Sequence, residues 1–132
     1  MAINEAVQKE EHPALLGLTT LEGKPLFLNP DRVQLVLGRR QDGEDYSRII
    51  IDDDGKSKEF SCRGHFSAVA GPFVTIANFK VNPAYLKYIE ANDGSSEEYP
   101  ANESPYVLRL KDYNLFLSST KPSDISAAFG LG

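Results

Sequence analysis

The sequence contains only one cysteine, no tryptophan and no long run of apolar residues. A single thiol, Cys62, excludes an intrachain disulfide and a cage of several thiolates around a metal ion, and it is typical of a reducing compartment. No segment approaches the roughly 18 apolar residues of a transmembrane helix. Glycine and proline are too few for a low-complexity chain. We therefore expect a folded protein that is cytoplasmic or incorporated into an assembled particle.

Basic residues are scarce relative to acidic ones, with 14 Lys and Arg against 19 Asp and Glu and a formal net charge of −5. Since Lys and Arg contacts to phosphate supply most of the affinity of nucleic-acid-binding proteins, this balance predicts no nucleic-acid partner. It also predicts no membrane partner, because an anionic membrane surface would repel the chain. A chain of 132 residues with 41% apolar residues is enough for one domain or two very small ones.

The N-terminal segment, residues 1–14, has neither the basic region nor the apolar region of a signal peptide. Ile3, Ala6 and Val7 would lie on one side of a short helix. We interpret this segment as an N-terminal arm.

An internal repeat organises the rest of the sequence. Two short strands with alternating apolar residues flank an Asn-Pro step at Asn29-Pro30, and the same pattern returns at Asn82-Pro83. A tyrosine follows each Asn by 17 residues, and each copy continues with a β-branched run, a turn and a closing strand. Each copy ends in small residues and a glycine, which favours a short helix. The pattern predicts a first β-repeat over 15–71 and a second over 72–132; a chance match between two β-meanders is the alternative.

The predicted fold class is α+β, mainly β, with two related antiparallel β-meander halves that each end in a short helix. Neither half could bury enough apolar surface alone, so we expect them to share one core in one compact domain. Because no glycine precedes Phe79 to make a hairpin turn, residues 73–81 are predicted to form one continuous strand. The predicted strands cover 15–21, 25–29, 33–41, 47–52, 58–62, 73–81, 85–91, 106–111 and 115–119, and the predicted helices cover 64–70 and 122–129.

A pattern of turns and strands covers the segment from Leu21 to Val33 and continues at Gly55-Lys56 and Lys58-Glu59-Phe60. It resembles the Leu-Asn-Gly-Lys turn, alternating strand, Asn-Pro step and Gly-Lys-Lys-Tyr segment of the small FlbD family, which is encoded among flagellar genes. This chain has Glu22 where that family usually has Asn, and a longer acidic loop at 41–47. The resemblance covers about residues 15–70 and implies a small β-module without established catalytic residues.

Few residues offer catalytic chemistry. Cys62 and His65 could form a thiol-imidazole pair, but a buried thiol at a strand end and a loop histidine explain them better. The run from Asp52 to Gly55 suits a solvated hairpin tip better than a calcium loop, which needs alternating carboxylates and a distant Glu. Each Asn-Pro step is interpreted as a turn rather than as half of a paired polar site. We therefore predict no enzyme, no cofactor and no metal site.

Arginine is concentrated in the first half, which contains five of the six arginines. If Arg39, Arg40 and Arg63 converge, their guanidinium groups could bind an anionic, nucleotide-like molecule. Otherwise they are partners for the abundant carboxylates.

Tyrosine is concentrated in the second half, which contains five of the six tyrosines. Tyr85, Tyr88 and Tyr99 are candidates for a protein interface, although tyrosine is also common in strands. The polar loop over 91–105 is long for a connection and is either mobile or a contact surface.

Together these features predict a non-catalytic structural or interaction protein that self-associates or docks into a larger assembly, such as a virion or appendage. Its partners would then be other proteins or further copies of the chain. The alternative is a protein that binds or sequesters a small anionic molecule.

Overall fold

The computed structural model describes residues 14–131, so all of the predicted arm except Ala14 lies outside the described residues. The described part is mainly β, as predicted. The strands are β1 (Leu16–Thr19), β2 (Pro25–Leu28), β3 (Val33–Gln41), β4 (Glu44–Asp53), β5 (Lys56–Arg63), β6 (Val74–Ile76), β7 (Phe79–Val81), β8 (Leu86–Ala91), β9 (Tyr106–Leu110) and β10 (Asn114–Leu117). Single turns of 3-10 helix lie at Pro30–Arg32, Phe66–Ala68 and Pro83–Tyr85, and α1 covers Pro122–Phe129.

The strands form three antiparallel sheets. The central sheet has five strands in the order β5-β4-β3-β7-β6, a second sheet has the order β10-β9-β8, and β1 and β2 form a separate pair. Strand β7 belongs to the second predicted repeat but pairs with β3 of the first, with Leu35 opposite Val81 and Leu37 opposite Phe79. The two predicted repeats therefore contribute strands to one sheet.

The first five residues of strand β3 are buried on both faces of the central sheet. Every residue from Val33 to Leu37 is at most 1% exposed, as is typical of a strand with a near-continuous apolar run. A β-bulge at Gln34 shifts the pairing between β3 and β4. Beyond it, Leu35 and Leu37 point to one face and Val36 to the other.

The central sheet is the middle of three layers. On one face, Leu35, Leu37 and Ile50 pack against apolar residues of the second sheet and α1. On the other face, Val36 and Ile49 pack against the β1–β2 pair and the Phe66–Ala68 turn. The first of these clusters combines side chains from both predicted repeats. Its second-repeat members include Ile76, Val81, Leu108, Leu110, Leu115, Leu117, Ile125 and Phe129.

Both Asn-Pro steps form the predicted turns. The Oδ1 atom of Asn29 accepts a hydrogen bond from the Asp31 amide at 3.0 Å, and Oδ1 of Asn82 accepts one from the Ala84 amide at 3.1 Å. In each case the proline starts a single turn of 3-10 helix, because its fixed φ suits a first helical position. The turn interpretation is confirmed at both positions.

The prediction of one strand over 73–81 was wrong. Strands β6 and β7 form a hairpin in which Ile76 is opposite Phe79, and Ala77 and Asn78 make the two-residue turn. Ala77 has a φ of 50°, a conformation that glycine or asparagine adopts more readily than alanine. The turn was missed because the residue that adopts it is not one that usually signals a turn.

Two other local predictions need correction. The predicted helix over 64–70 is only the 3-10 turn Phe66–Ala68, which ends at Val69 rather than at a glycine; Pro72 follows closely and cannot continue a helix. The acidic loop over 41–47 is a two-residue turn at Asp42-Gly43, with φ values of 53° and 79° that match a type I′ hairpin. By contrast, the helix over 122–129 is confirmed as α1.

Candidate functional site

The second Asn-Pro turn docks onto the start of β3. The Nδ2 atom of Asn82 donates to the Val33 carbonyl at 2.9 Å, and the Asn82 amide donates to the Gln34 carbonyl at 3.0 Å. The Tyr85 hydroxyl donates to the Asp31 carbonyl at 2.8 Å. Tyr85, one of the predicted interface residues, therefore makes a contact within the chain between the two Asn-Pro turns.

Asp52 anchors the neighbouring β4–β5 hairpin to the loop between β9 and β10. It is only 6% exposed, and it accepts hydrogen bonds from the Gly55 amide at 2.8 Å and from Lys111 Nζ at 2.9 Å. The hydrogen bond from Lys111, followed by that from Gly55, lowers the pKa of Asp52 below its ordinary value. This Asp is therefore a structural anchor rather than part of a solvated tip.

We expect the Asp52 anchor to contribute to acid unfolding. Because the pKa of Asp52 is lowered in the folded state, its stabilising contribution is complete above the ordinary carboxyl pKa of about 4 and is lost as the pH falls through the folded value. Asp52→Asn should lower the urea midpoint at neutral pH, and the midpoint of this variant should fall less steeply than that of the wild type below about pH 4. Asp53→Asn, at an exposed neighbour, is the control and should follow the wild type; an unchanged profile for Asp52→Asn would contradict this role.

Cys62 and His65 occupy different environments. Cys62 is 0% exposed and packs in the core with Leu16 and Phe66, and burial raises the pKa of its thiol. The Nδ1 atom of His65 lies 2.7 Å from the Ser67 hydroxyl and accepts a hydrogen bond from the Ser67 amide at 3.2 Å. His65 thus caps the 3-10 turn that follows it. Both residues have clear structural roles.

The three arginines proposed as a ligand site do not surround a common depression. Arg39 and Arg40 are consecutive in β3 and point to opposite faces of the sheet, although both border one shallow depression beside Asp45. Arg63 donates to the Leu21 carbonyl at 3.3 Å. It borders two other depressions, to which neither Arg39 nor Arg40 contributes.

Arg39 also borders a cavity of about 340 Å³ beneath the loop that follows β8. Glu98 and Glu103 line the same cavity, together with Tyr99 and Tyr113. Two carboxylates beside one guanidinium make this cavity a poor electrostatic match for an anion. No pattern in the sequence indicated that these carboxylates would lie near Arg39.

The loop over 92–105 is held by its own hydrogen bonds. The Nδ2 atom of Asn92 donates to the carbonyls of Tyr99, at 2.9 Å, and Ser104, at 2.7 Å. The Tyr99 ring stacks on Phe116 of β10, with ring centres 4.5 Å apart and planes 3° apart. Tyr99 is still 38% exposed. The loop therefore adds an exposed aromatic ring to the surface of the second sheet.

The outer face of the second sheet carries a polar and aromatic surface. We define it by Lys87, Tyr88 and Glu90 of β8 and Arg109 of β9. Tyr88 is 54% exposed, and Arg109 Nε lies 2.8 Å from a carboxylate oxygen of Glu90. Of the three tyrosines predicted to form an interface, Tyr88 and Tyr99 are exposed, and Tyr88 lies on this outer face.

The strand edges differ in how well they are protected. Strand β5 ends the central sheet, but the Ser57 amide donates to an Asp112 carboxylate oxygen at 3.1 Å and the Leu21 amide donates to the Ser61 carbonyl at 3.2 Å. At the other end, β6 has only three residues. Short length and blocked backbone groups both prevent unwanted strand pairing. Strand β8 has six residues and pairs with β9 only, among the strands of residues 14–131.

Exposed apolar side chains also lie on and next to the β1–β2 pair. Phe27 is 66% exposed and packs over Gly17 of the neighbouring strand, and Leu15 is 61% exposed.

In the part of the chain that the structure describes, no helix is long and apolar enough to cross a membrane. Within the same residues, His, Cys, Asp and Glu side chains form no group of three or more that could hold a metal ion. Three comparisons with known proteins gave no match: no family model matches this sequence, no curated protein matches it, and no solved structure matches its fold. The resemblance to the FlbD family therefore stays a prediction.

Proposed function

We propose that this chain is a non-catalytic structural or interaction protein that self-associates or docks into a larger assembly, such as a virion or appendage. The observation that carries this proposal is the exposed, one-sided strand β8. It offers six residues of backbone and the 54% exposed ring of Tyr88. A strand with an unpaired edge is suited to pair with a strand of another chain.

We also propose that the two halves are related by duplication. In both, a hairpin leads to an Asn-capped 3-10 turn and then to three antiparallel strands. The strand after each turn has a bulge five residues beyond the Asn, at Gln34 and at Lys87. The hairpins differ in position, because β7 joins the central sheet whereas β2 pairs only with β1 among the described strands.

The non-catalytic assignment is supported by the state of the one thiol. A buried cysteine with a raised pKa forms little of the thiolate that a nucleophile needs. His65, the nearest candidate base in sequence, is engaged with Ser67. No cofactor is part of this proposal.

The alternative function, binding of a small anionic molecule, has weaker support. It would need Arg39, Arg40 and Arg63 to act together, whereas Arg63 borders depressions separate from the one that Arg39 and Arg40 share. Arg39 also lies beside Glu98 and Glu103. If this alternative is correct, a panel of nucleotides should raise the melting temperature of the protein, and Arg39→Ala should abolish the shift. The structural proposal expects no shift in either protein.

Sedimentation velocity over a wide range of concentrations tests self-association. We expect the monomer of 14.6 kDa to give way to species of at least twice that mass as the concentration rises, because unpaired strand edges from two copies can combine. Native mass spectrometry on the same samples should give the stoichiometry. A monomer at every concentration would contradict self-association.

A further inference from the structure

We propose that a second copy of this chain pairs with β8 in antiparallel orientation, about a two-fold axis at Ile89. The pairing would join two three-stranded sheets into one six-stranded sheet across the dimer. This inference rests on the proposed self-association and specifies its interface.

The surroundings of β3 and β8 indicate where the second copy would bind. These two strands follow the two Asn-Pro turns and carry bulges at equivalent positions. Strand β3 is flanked by β4 on one side and β7 on the other, whereas β8 has only β9 beside it among the described strands. A partner strand at β8 would occupy the place that β7 has beside β3.

The other sheet edges are less suited to this pairing. Strand β5 has its outward backbone groups at Ser57 and Ser61 engaged within the chain. Strand β6 has three residues, and β1, β2 and β10, which are also edge strands, have four each. Strand β2 also begins with Pro25, which has no amide hydrogen to donate. Strand β8 is therefore the most available edge in the described part of the chain.

The faces of β8 determine which registers are allowed. Leu86 and Ile89 pack against the core, whereas Tyr88 and Glu90 are exposed. Residues that are directly opposite in an antiparallel pair lie on the same face of the sheet. An axis at Glu90 would place two like charges opposite each other, and an axis at Tyr88 would centre the pair beside the bulge at Lys87. An axis at Ile89 avoids both problems.

This register is also complementary in charge. It places Tyr88 opposite Glu90 of the partner subunit, and the bulge leaves Lys87 on the same outer face as Tyr88. The Lys87 ammonium of each copy then lies near Glu90 of the partner subunit, so that the basic end of one strand meets the acidic end of the other. Because the axis is two-fold, this contact occurs twice.

Charge reversal tests the pairing in the full chain. Lys87→Glu would put like charges at both symmetric contacts, as would Glu90→Lys, so each variant should raise the Kd for self-association about tenfold. An equimolar mixture of the two variants should form heterodimers with at least wild-type affinity, because each contact then joins opposite charges. The double variant with both reversals should recover self-association. Sedimentation and native mass spectrometry measure all three effects.

Lys58→Glu, at an exposed position of β5, changes the net charge by the same amount as Lys87→Glu and is the matched control for that variant; it should leave the Kd unchanged. Thermal unfolding of each variant checks folding, which matters for Glu90→Lys because Glu90 also pairs with Arg109. Two results would show that the β8 interface is wrong while the proposed function stands. In the first, the wild type self-associates but neither variant changes the Kd. In the second, both variants weaken self-association but their mixture forms no heterodimers. If the wild type is a monomer at every concentration, the β8 pairing and self-association both fail, and only docking onto a different protein remains of the proposed function.

Discussion

Leu35→Ala should lower the free energy of unfolding by about 2–5 kcal/mol, the usual range for a leucine removed from a core. Leu35 is 0% exposed, and it lies in β3 opposite Val81 of β7. Its side chain packs in the same cluster as Leu108 and Leu117 of the second sheet. The truncation therefore removes contacts from strands of both predicted repeats.

Urea unfolding followed by circular dichroism measures this loss of stability, and amide hydrogen exchange shows which strands are destabilised. If the two halves share one core, Leu35→Ala should give one transition and should speed exchange in β9 as well as in β3. Phe27→Ala is the control, because a side chain that is 66% exposed should change stability by no more than about 0.5 kcal/mol. Two separate transitions, with exchange in β9 unaffected, would mean that the halves are independent.

The sequence predicted most, but not all, of the local elements. Alternating apolar residues around Asn29 and Asn82 indicated strands on both sides of a turn. The side chains of both asparagines accept the expected hydrogen bonds from the backbone. Helix α1 was also predicted, since its small residues are followed by Gly130. These features depend on residues close together in the chain, whose preferences are readable without knowledge of the fold.

Contacts between distant residues could not be predicted in the same way. The pairing of β7 with β3 joins Val81 to Leu35, and alternating residues in each strand give no information about which strand is the partner. The β6–β7 turn was missed because Ala77 adopts a positive φ that the surrounding hairpin imposes. Local preference is a weak guide where the fold determines the conformation.

From the sequence alone, only the outline of the proposed interface could be predicted. The concentration of tyrosine in the second half suggested an interface there. It did not distinguish Tyr85, whose hydroxyl donates to the Asp31 carbonyl, from Tyr88, which is exposed. The exposure of a strand depends on its neighbours in the sheet, and β8 is exposed because, among the described strands, none from the other half pairs with it. The charges of Lys87 and Glu90 become meaningful only once β8 is known to be an edge.

The two Asn-Pro turns should respond very differently to mutation. Asn82 is 7% exposed, caps its turn and also donates to the Val33 carbonyl in β3. Asn82→Ala removes the cap and leaves a buried carbonyl without its donor, so we expect a loss of about 2–4 kcal/mol in the free energy of unfolding. Asn29 is exposed and its side chain caps only its own turn, so Asn29→Ala should cost about 0.5–1 kcal/mol.

Serine at the same two positions separates the two roles of asparagine, with urea unfolding as the measurement. A serine hydroxyl can still cap the turn, but it is too short to replace the amide that reaches Val33. Asn29→Ser should therefore be nearly neutral, whereas Asn82→Ser should still lose about 1–3 kcal/mol. Equal losses at the two positions would mean that the contact from Asn82 to β3 adds little. A larger loss at Asn82 would mean that this turn, unlike its counterpart, helps to hold the two halves together.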